Sequence, residues 1–273
     1  MSPDLKTAEP RRAPRLLLVH GMGCDQSIWS FWVDRLVTQH GFHVQTLNLP
    51  GRSETRAEAA EIGQQDLASY AASVEACAQS IYEADGVWPI LVGHSLGGLL
   101  AQLVAAKQPA SALVLITTAT PARIWGVAGS VLACFPFNPL TVFGWPGTLW
   151  LRCEGLLQHA LQELSAHEKD SALEMVKRIP ESRRAAWQIA FWFIDWRRGS
   201  WYEFKKIECP VLIVTGGRDG LTPPLAARSL SKHLRHTPLI KYVEYPNHSH
   251  WLIREPGWER ICDDAAAWIK TLD

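Results

Sequence analysis

The chain alternates short, continuously apolar runs with longer segments in which apolar residues recur three or four positions apart. The short runs are Arg15–His20, His43–Leu49, Ile90–Gly93, Ala112–Thr117, Val211–Thr215 and Ile240–Tyr245. They are rich in Val, Ile and Leu and mostly lack polar alternation, the pattern of parallel strands covered on both faces. Helix-length segments lie between them at Gln64–Tyr82, Gly97–Lys107, Pro223–Leu234 and Pro256–Leu272. Pro223 and Pro256 stand where a first helical turn accepts proline. This order predicts an α/β fold, a doubly wound and mostly parallel sheet with helices on both faces.

The alternation breaks between Thr117 and Val211, where no convincing strand occurs. Leu157, Leu161 and Leu164 recur at helical spacing, as do Trp187, Ala190, Phe191 and Ile194. In the second of these segments Ile189, Trp192, Phe193 and Trp196 make the opposite face apolar as well. A helix apolar nearly all round is sandwiched between two apolar surfaces, either both protein or one of them a ligand cavity. The expected division is a core of residues 1–120 and 205–273, with a helical cap over 121–204. Within that cap, residues 124–151 carry no charge and are long enough to span a bilayer. Pro136, Pro139 and Pro146 cut the stretch into short pieces, which lipid would leave with unpaired backbone groups. An apolar cap over a pocket is therefore expected instead of a transmembrane span.

Composition narrows the function. Lys and Arg total 27 against 27 Asp and Glu, so there is no basic excess for binding nucleic acid through phosphates. A 47% hydrophobic content and the lack of long charge runs exclude a disordered chain. The six cysteines are dispersed with no C-x-x-C pair, the usage of small core residues in a reducing compartment. The first fifteen residues contain no apolar signal core, so a cytoplasmic location is expected. Tryptophan is overweight at 13 residues, and seven of them fall between Trp125 and Trp201. Such rings supply apolar contact area and one N–H donor each. Trp125, Trp192 and Trp196 are the candidates to line an acyl or aromatic pocket, with gluing of the cap to the sheet as the alternative.

The strongest local signal is Gly93-His94-Ser95-Leu96-Gly97, directly after an apolar run and before a helix with small residues first. In this strand–turn–helix setting G-x-S-x-G lifts a serine hydroxyl above the sheet at a helix N-terminus. Ser95 is the candidate nucleophile, against a structural turn serine. A hydroxyl needs a base, and the base needs an orienting carboxylate. Asp219 lies in the loop after the Val211 strand, where open α/β sheets build their sites; otherwise it caps the helix at Pro223. Thr117-Thr118-Ala119-Thr120, after the preceding strand, offers no carboxylate. Two histidines compete as base, and His250 is favoured over His248 because it stands five residues before Glu255-Pro256. No Asp, Glu or Cys cluster surrounds the pair, so a metal site is not expected. Acyl transfer also needs two donors for the oxyanion. The amides of Leu96 and of Met22, in His20-Gly21-Met22-Gly23, are the candidates, with His20 shaping that loop. The turn Pro50-Gly51-Arg52-Ser53 carries no assigned chemistry.

On His20-Gly21, Gly93–Gly97, Asp219 and His250, taken in that order, the chain resembles an α/β-hydrolase fold serine hydrolase from about Arg15 to Leu272. It is similar to the bacterial carboxylesterase and thioesterase-like members. The resemblance implies Ser95 as nucleophile, His250 as base, Asp219 as orienting acid, Met22 and Leu96 as oxyanion hole, and no cofactor. Only a short segment precedes the first strand, which implies a trimmed sheet of about six strands. The cap falls where the family carries its lid. An esterase of uncharged lipophilic or aromatic small-molecule substrates is the leading expectation, because the cap centre is uncharged. The same triad serves thioester, lactone and carbon–carbon cleavage. Gly23–Trp29 is also similar to a segment of hormone-receptor and stress-regulator members, which keeps a slowly turning ligand receptor as the rival.

Overall fold

The computed structural model describes residues 14–52, 58–126, 146–149, 161 and 163–272. Most of the uncharged stretch 124–151, with Trp145 and Trp150, lies outside them, and so does Leu157. Six strands build one sheet: β1 (Leu16–Val19), β2 (Val44–Leu47), β3 (Ile90–His94), β4 (Ala112–Ile116), β7 (Val211–Gly216) and β8 (Ile240–Tyr245). Their order is β2-β1-β3-β4-β7-β8, and every neighbouring pair is parallel. The expected six-stranded parallel sheet is thus present.

Period-two alternation sends successive strand residues to opposite faces. Leu17, Val19, Leu91, Leu113, Leu115, Val211 and Ile213 bury one way, against α3 (Leu67–Asp85), α4 (Leu96–Ala105) and α7 (Pro224–His233). Leu16, Leu18, Ile90, Val92, Val114, Ile116, Leu212 and Val214 bury the other way, against α1 (Ser30–Thr38) and α8 (Trp258–Ile269). Two apolar cores explain why the strand sequences show no polar alternation.

Two expected helices differ in extent. The helix expected from Gln64 starts at Leu67 as α3, behind a separate short α2 (Ala59–Gln64), because Asp66 turns extended and caps α3 with a reciprocal Asp66–Ser69 box. The helix expected to continue through Trp196 ends at Ala190: α6 spans Arg183–Ala190. Phe191 then leaves the helical region, and Asp195 accepts from the backbone N–H groups of Arg197 and Gly199, closing a turn. The all-round apolarity therefore belongs to a short helix followed by a turn, with Phe193 and Ile194 exposed. The segment thought free of strands contains the two-residue β5 (Thr148–Leu149) and β6 (Glu181–Ser182), paired antiparallel, and α5 (Ala166–Arg178) precedes β6. Strands of two residues are too short to leave a pattern. Among the described residues no helix is long and apolar enough to cross a membrane.

Candidate active site

The sheet order reverses around β1: β2 lies on one side of it and β3 on the other. Loops leaving such a switch point diverge and open a crevice at the carboxyl ends of the strands. Val19 of β1 is in register with Gly93 of β3, so the loop after β1 and the turn after β3 lie side by side. An ideal Cβ on Gly21 would stand 3.1 Å from Ser95 Cβ.

Ser95 occupies the N-cap of α4 at φ 52, ψ −117, a region that L-residues rarely enter. Its amide donates to Ile116 O at 3.0 Å, and its carbonyl accepts from Gly98 N (3.0 Å) and Ala119 N (2.9 Å). The surrounding chain thus over-determines the strained turn. The motif glycines have a steric reason. A Cβ on Gly97 would stand 2.1 Å from Val19 O, and one on Gly93 2.3 Å from Gly97 O. Only glycine lets α4 start this close to β1 and β3.

β7 and β8 are neighbours at the same edge, with Gly216 opposite Tyr245, so their loops also meet. His250 Nδ1 stands 2.9 Å from Asp219 Oδ2, and both residues are buried. Asp219 Oδ1 accepts from Leu221 N and Thr222 N at 2.8 Å each, and Oδ2 accepts from Thr222 Oγ1 at 2.6 Å. Burial alone would raise the Asp219 pKa, but the facing His250 and these hydrogen bonds hold it below the ordinary value. The carboxylate is therefore charged and aimed at the imidazole. His250 is fixed through its backbone too, because its carbonyl accepts from Thr117 Oγ1 (3.1 Å) and His94 Nε2 (3.0 Å). The preceding residue, Ser249, donates from its amide to the buried Glu255 at 2.8 Å and from its hydroxyl to the same carboxyl group.

His248, the competing histidine, bonds Pro256 O at 3.1 Å through Nε2 and has no carboxylate contact among the described residues. His20 shapes the loop after β1. Its Nε2 accepts from Leu49 N at 3.1 Å, which leaves the proton on Nδ1 to donate to Gly21 O at 2.9 Å. That carbonyl shares a peptide plane with the Met22 amide, so His20 sets the direction of the Met22 N–H. Burial lowers the His20 pKa to about 3 and keeps the ring neutral, as this tautomer requires. Leu96 opens α4 directly after Ser95. The candidates for nucleophile, base, acid and oxyanion donors thus gather at one edge of the sheet. Among the described residues no cluster of His, Cys, Asp and Glu is arranged to hold a metal.

Trp125 and Trp192 meet edge-to-face with centroids 5.4 Å apart, and Phe193 lies 5.6 Å from Trp125. Trp196 is 80% exposed, with the Arg197 guanidinium 4.9 Å over its ring.

Sequence reasoning missed a buried polar cluster beside the loop after β1. Glu181 of β6, Arg52 and Tyr70 bond one another there, at 2.7 Å for both Arg52 Nη2–Glu181 and Tyr70 OH–Glu181. Nothing along the chain ties residues 52, 70 and 181 together. The only local sign was an arginine in a turn that otherwise needed none.

A topological switch beside β1, a strained serine at a helix start and a buried Asp–His pair fit the α/β-hydrolase type of site. The chain belongs to the Alpha/beta hydrolase family, whose model matches residues 16–261. It is 29% identical over 243 residues to a pimeloyl-(acyl-carrier protein) methyl ester esterase of Vibrio parahaemolyticus, covering 87% of this chain and 88% of that one. An esterase of the same name from Neisseria meningitidis serogroup C is 26% identical over 275 residues, covering 93% and 94%. Among solved structures, a soluble variant of the Saccharomyces cerevisiae monoglyceride lipase superposes with TM-score 0.72 at 16% identity, covering 98% of this chain and 89% of that one. A putative aryl esterase of Burkholderia cenocepacia gives 0.70 at 19% identity, covering 97% and 93%.

Proposed function

We propose that this chain is a serine esterase that cleaves uncharged carboxylic esters of lipophilic or aromatic character through an acyl-enzyme. The observation that carries the reading is the buried Asp219–His250 pair at 2.9 Å, on the strand edge that also bears the strained Ser95. Asp219 holds the Nδ1 proton, so Nε2 is free to take the proton of Ser95 Oγ as that oxygen attacks the ester carbonyl. The negative oxygen of the tetrahedral intermediate accepts from the amides of Met22 and Leu96, at the positive end of α4. Collapse breaks the bond to the alcohol, which leaves with the proton from His250. Water, deprotonated by His250, then attacks the Ser95 ester, and collapse breaks the acyl–Oγ bond, releasing the acid as His250 returns the proton to Ser95 Oγ. Residues 121–204 act as the cap, and Trp125, Trp192 and Trp196 contribute to its acyl-binding side.

The similarity to the named esterases makes an aliphatic acyl methyl ester a specific arm of the test. A series of nitrophenyl esters from acetate to long acyl chains, with methyl esters of the same acids, measures the preference. The expected result is a kcat/KM that rises with acyl length beyond acetate. Preference for acetate over every longer chain contradicts a large apolar pocket.

A further inference from the structure

The buried cluster of Arg52, Tyr70 and Glu181 has no part in the proton transfers above. Glu181 begins β6 in the insertion, and its side chain is fully buried. Its carboxylate accepts four hydrogen bonds. Arg52 Nη2 (2.7 Å) and Gly23 N (3.1 Å) reach Oε2, while Tyr70 OH (2.7 Å) and Ser182 N (2.6 Å) reach Oε1. Arg52 also donates to Pro50 O at 3.3 Å and to Tyr70 OH at 3.2 Å. A buried ion pair is seldom worth more than well-packed apolar residues, so stability alone does not account for it.

The informative partner is Gly23 N–H. Gly23 follows Met22 and sits at φ +65, a conformation glycine leaves easily. His20 pins the Gly21–Met22 peptide from one side through Gly21 O. Glu181 pins the Met22–Gly23 peptide from the other through Gly23 N. We propose that Glu181, presented by the insertion and charge-balanced by Arg52, is a positioning residue that keeps the Met22 amide aimed at the oxyanion. This rests on the serine-esterase reading. It makes the stretch carrying Glu181 a fixed wall of the site: moving it away would strip Gly23 of its acceptor and leave Arg52 unpaired.

The test uses the full-length protein with Glu181→Gln and with the double variant Arg52→Met/Glu181→Leu, beside wild type and Ser95→Ala. Glu181→Gln removes the charge, and its amide oxygen can still face Gly23 N while the NH₂ turns to Tyr70 OH and Ser182 N. The double variant removes the acceptor without leaving a buried charge. The readouts are kcat and KM on the best nitrophenyl ester, per site titrated to completion with a fluorophosphonate, and the Ki of a boronic acid whose tetrahedral adduct fills the oxyanion hole. In the double variant the expected result is a kcat lower by about 10- to 100-fold with KM little changed and a boronic acid weakened by a similar factor, with a smaller loss in Glu181→Gln. Tyr70→Phe, which leaves the Glu181–Gly23 bond in place, should stay within about threefold of wild type. A purely structural cluster would lower melting temperature and the number of titratable sites and leave kcat per site unchanged. Wild-type kcat per site in the double variant overturns the inference, as does an equal loss in Tyr70→Phe. The underlying reading fails separately, if Ser95→Ala keeps turnover.

Discussion

Asp219 is held by more partners than a surface turn acid needs. It accepts two backbone amides and a threonine hydroxyl besides facing His250 Nδ1, which fixes both its position and its charge. Asp219→Asn preserves the shape, but its amide NH₂ can present a donor to Nδ1 and favour the wrong tautomer. We expect kcat to fall about 10⁴-fold with the fold retained. A kinetic comparison at matched melting temperature checks this, and activity within tenfold of wild type would remove Asp219 from the reaction. The positions of Ser95, Asp219 and His250 were legible in the sequence because each lies in the turn or loop that leaves the carboxyl end of a strand, and strand ends are the most regular feature of this fold. Glu181 was not legible. It begins a two-residue strand in a segment without periodicity, and its partners come from residues 23, 52 and 70, so only the folded chain joins them. The pocket role of the tryptophans rested on composition, which locates an excess but does not orient a ring.

At the level of elements, the sheet was the clearest prediction. Continuous Val, Ile and Leu runs mean burial on both faces, and the two apolar cores supply it. Helices were less exact because their ends depend on caps. Asp66 was not recognised as the cap that starts α3, and the polar turn at Asp195 was read as helix because the apolar spacing continues across it. The insertion is tied to the core at several points. Gln188 Oε1 accepts from Leu67 N at 2.9 Å, Ser182 Oγ donates to Gln65 O at 2.6 Å, and Tyr202 OH donates to Gln102 at 2.8 Å. These polar ties, with Glu181, attach the 181–202 part of the insertion to the core face that carries α3 and α4.

For the molecule as a whole, acid stability follows from its buried histidines. Burial lowers His20 from 6.5 to about 3, and burial together with the facing His250 lowers His94 to about 3. Both are neutral in the folded state, while an unfolded chain protonates them near 6.5. Their contribution is complete above pH 6.5 and is lost as pH falls toward 3, at about 1.4 kcal/mol per pH unit for each. Glu255, whose pKa burial raises, works in the opposite sense above 4.5 but is one group against two. Urea midpoints should therefore decline steadily from pH 6.5 to 4, and a flat midpoint over that range contradicts neutral buried histidines.

The proposed esterase reaction runs through a covalent acyl intermediate on Ser95. The most direct measurement is fluorophosphonate labelling of wild type and Ser95→Ala, read by mass, together with turnover of the best ester. Wild type should carry one adduct on Ser95 and the variant none, with turnover of the variant lower by about 10⁴- to 10⁶-fold. A Ser95→Ala protein that hydrolyses the ester at near wild-type rate contradicts this reaction.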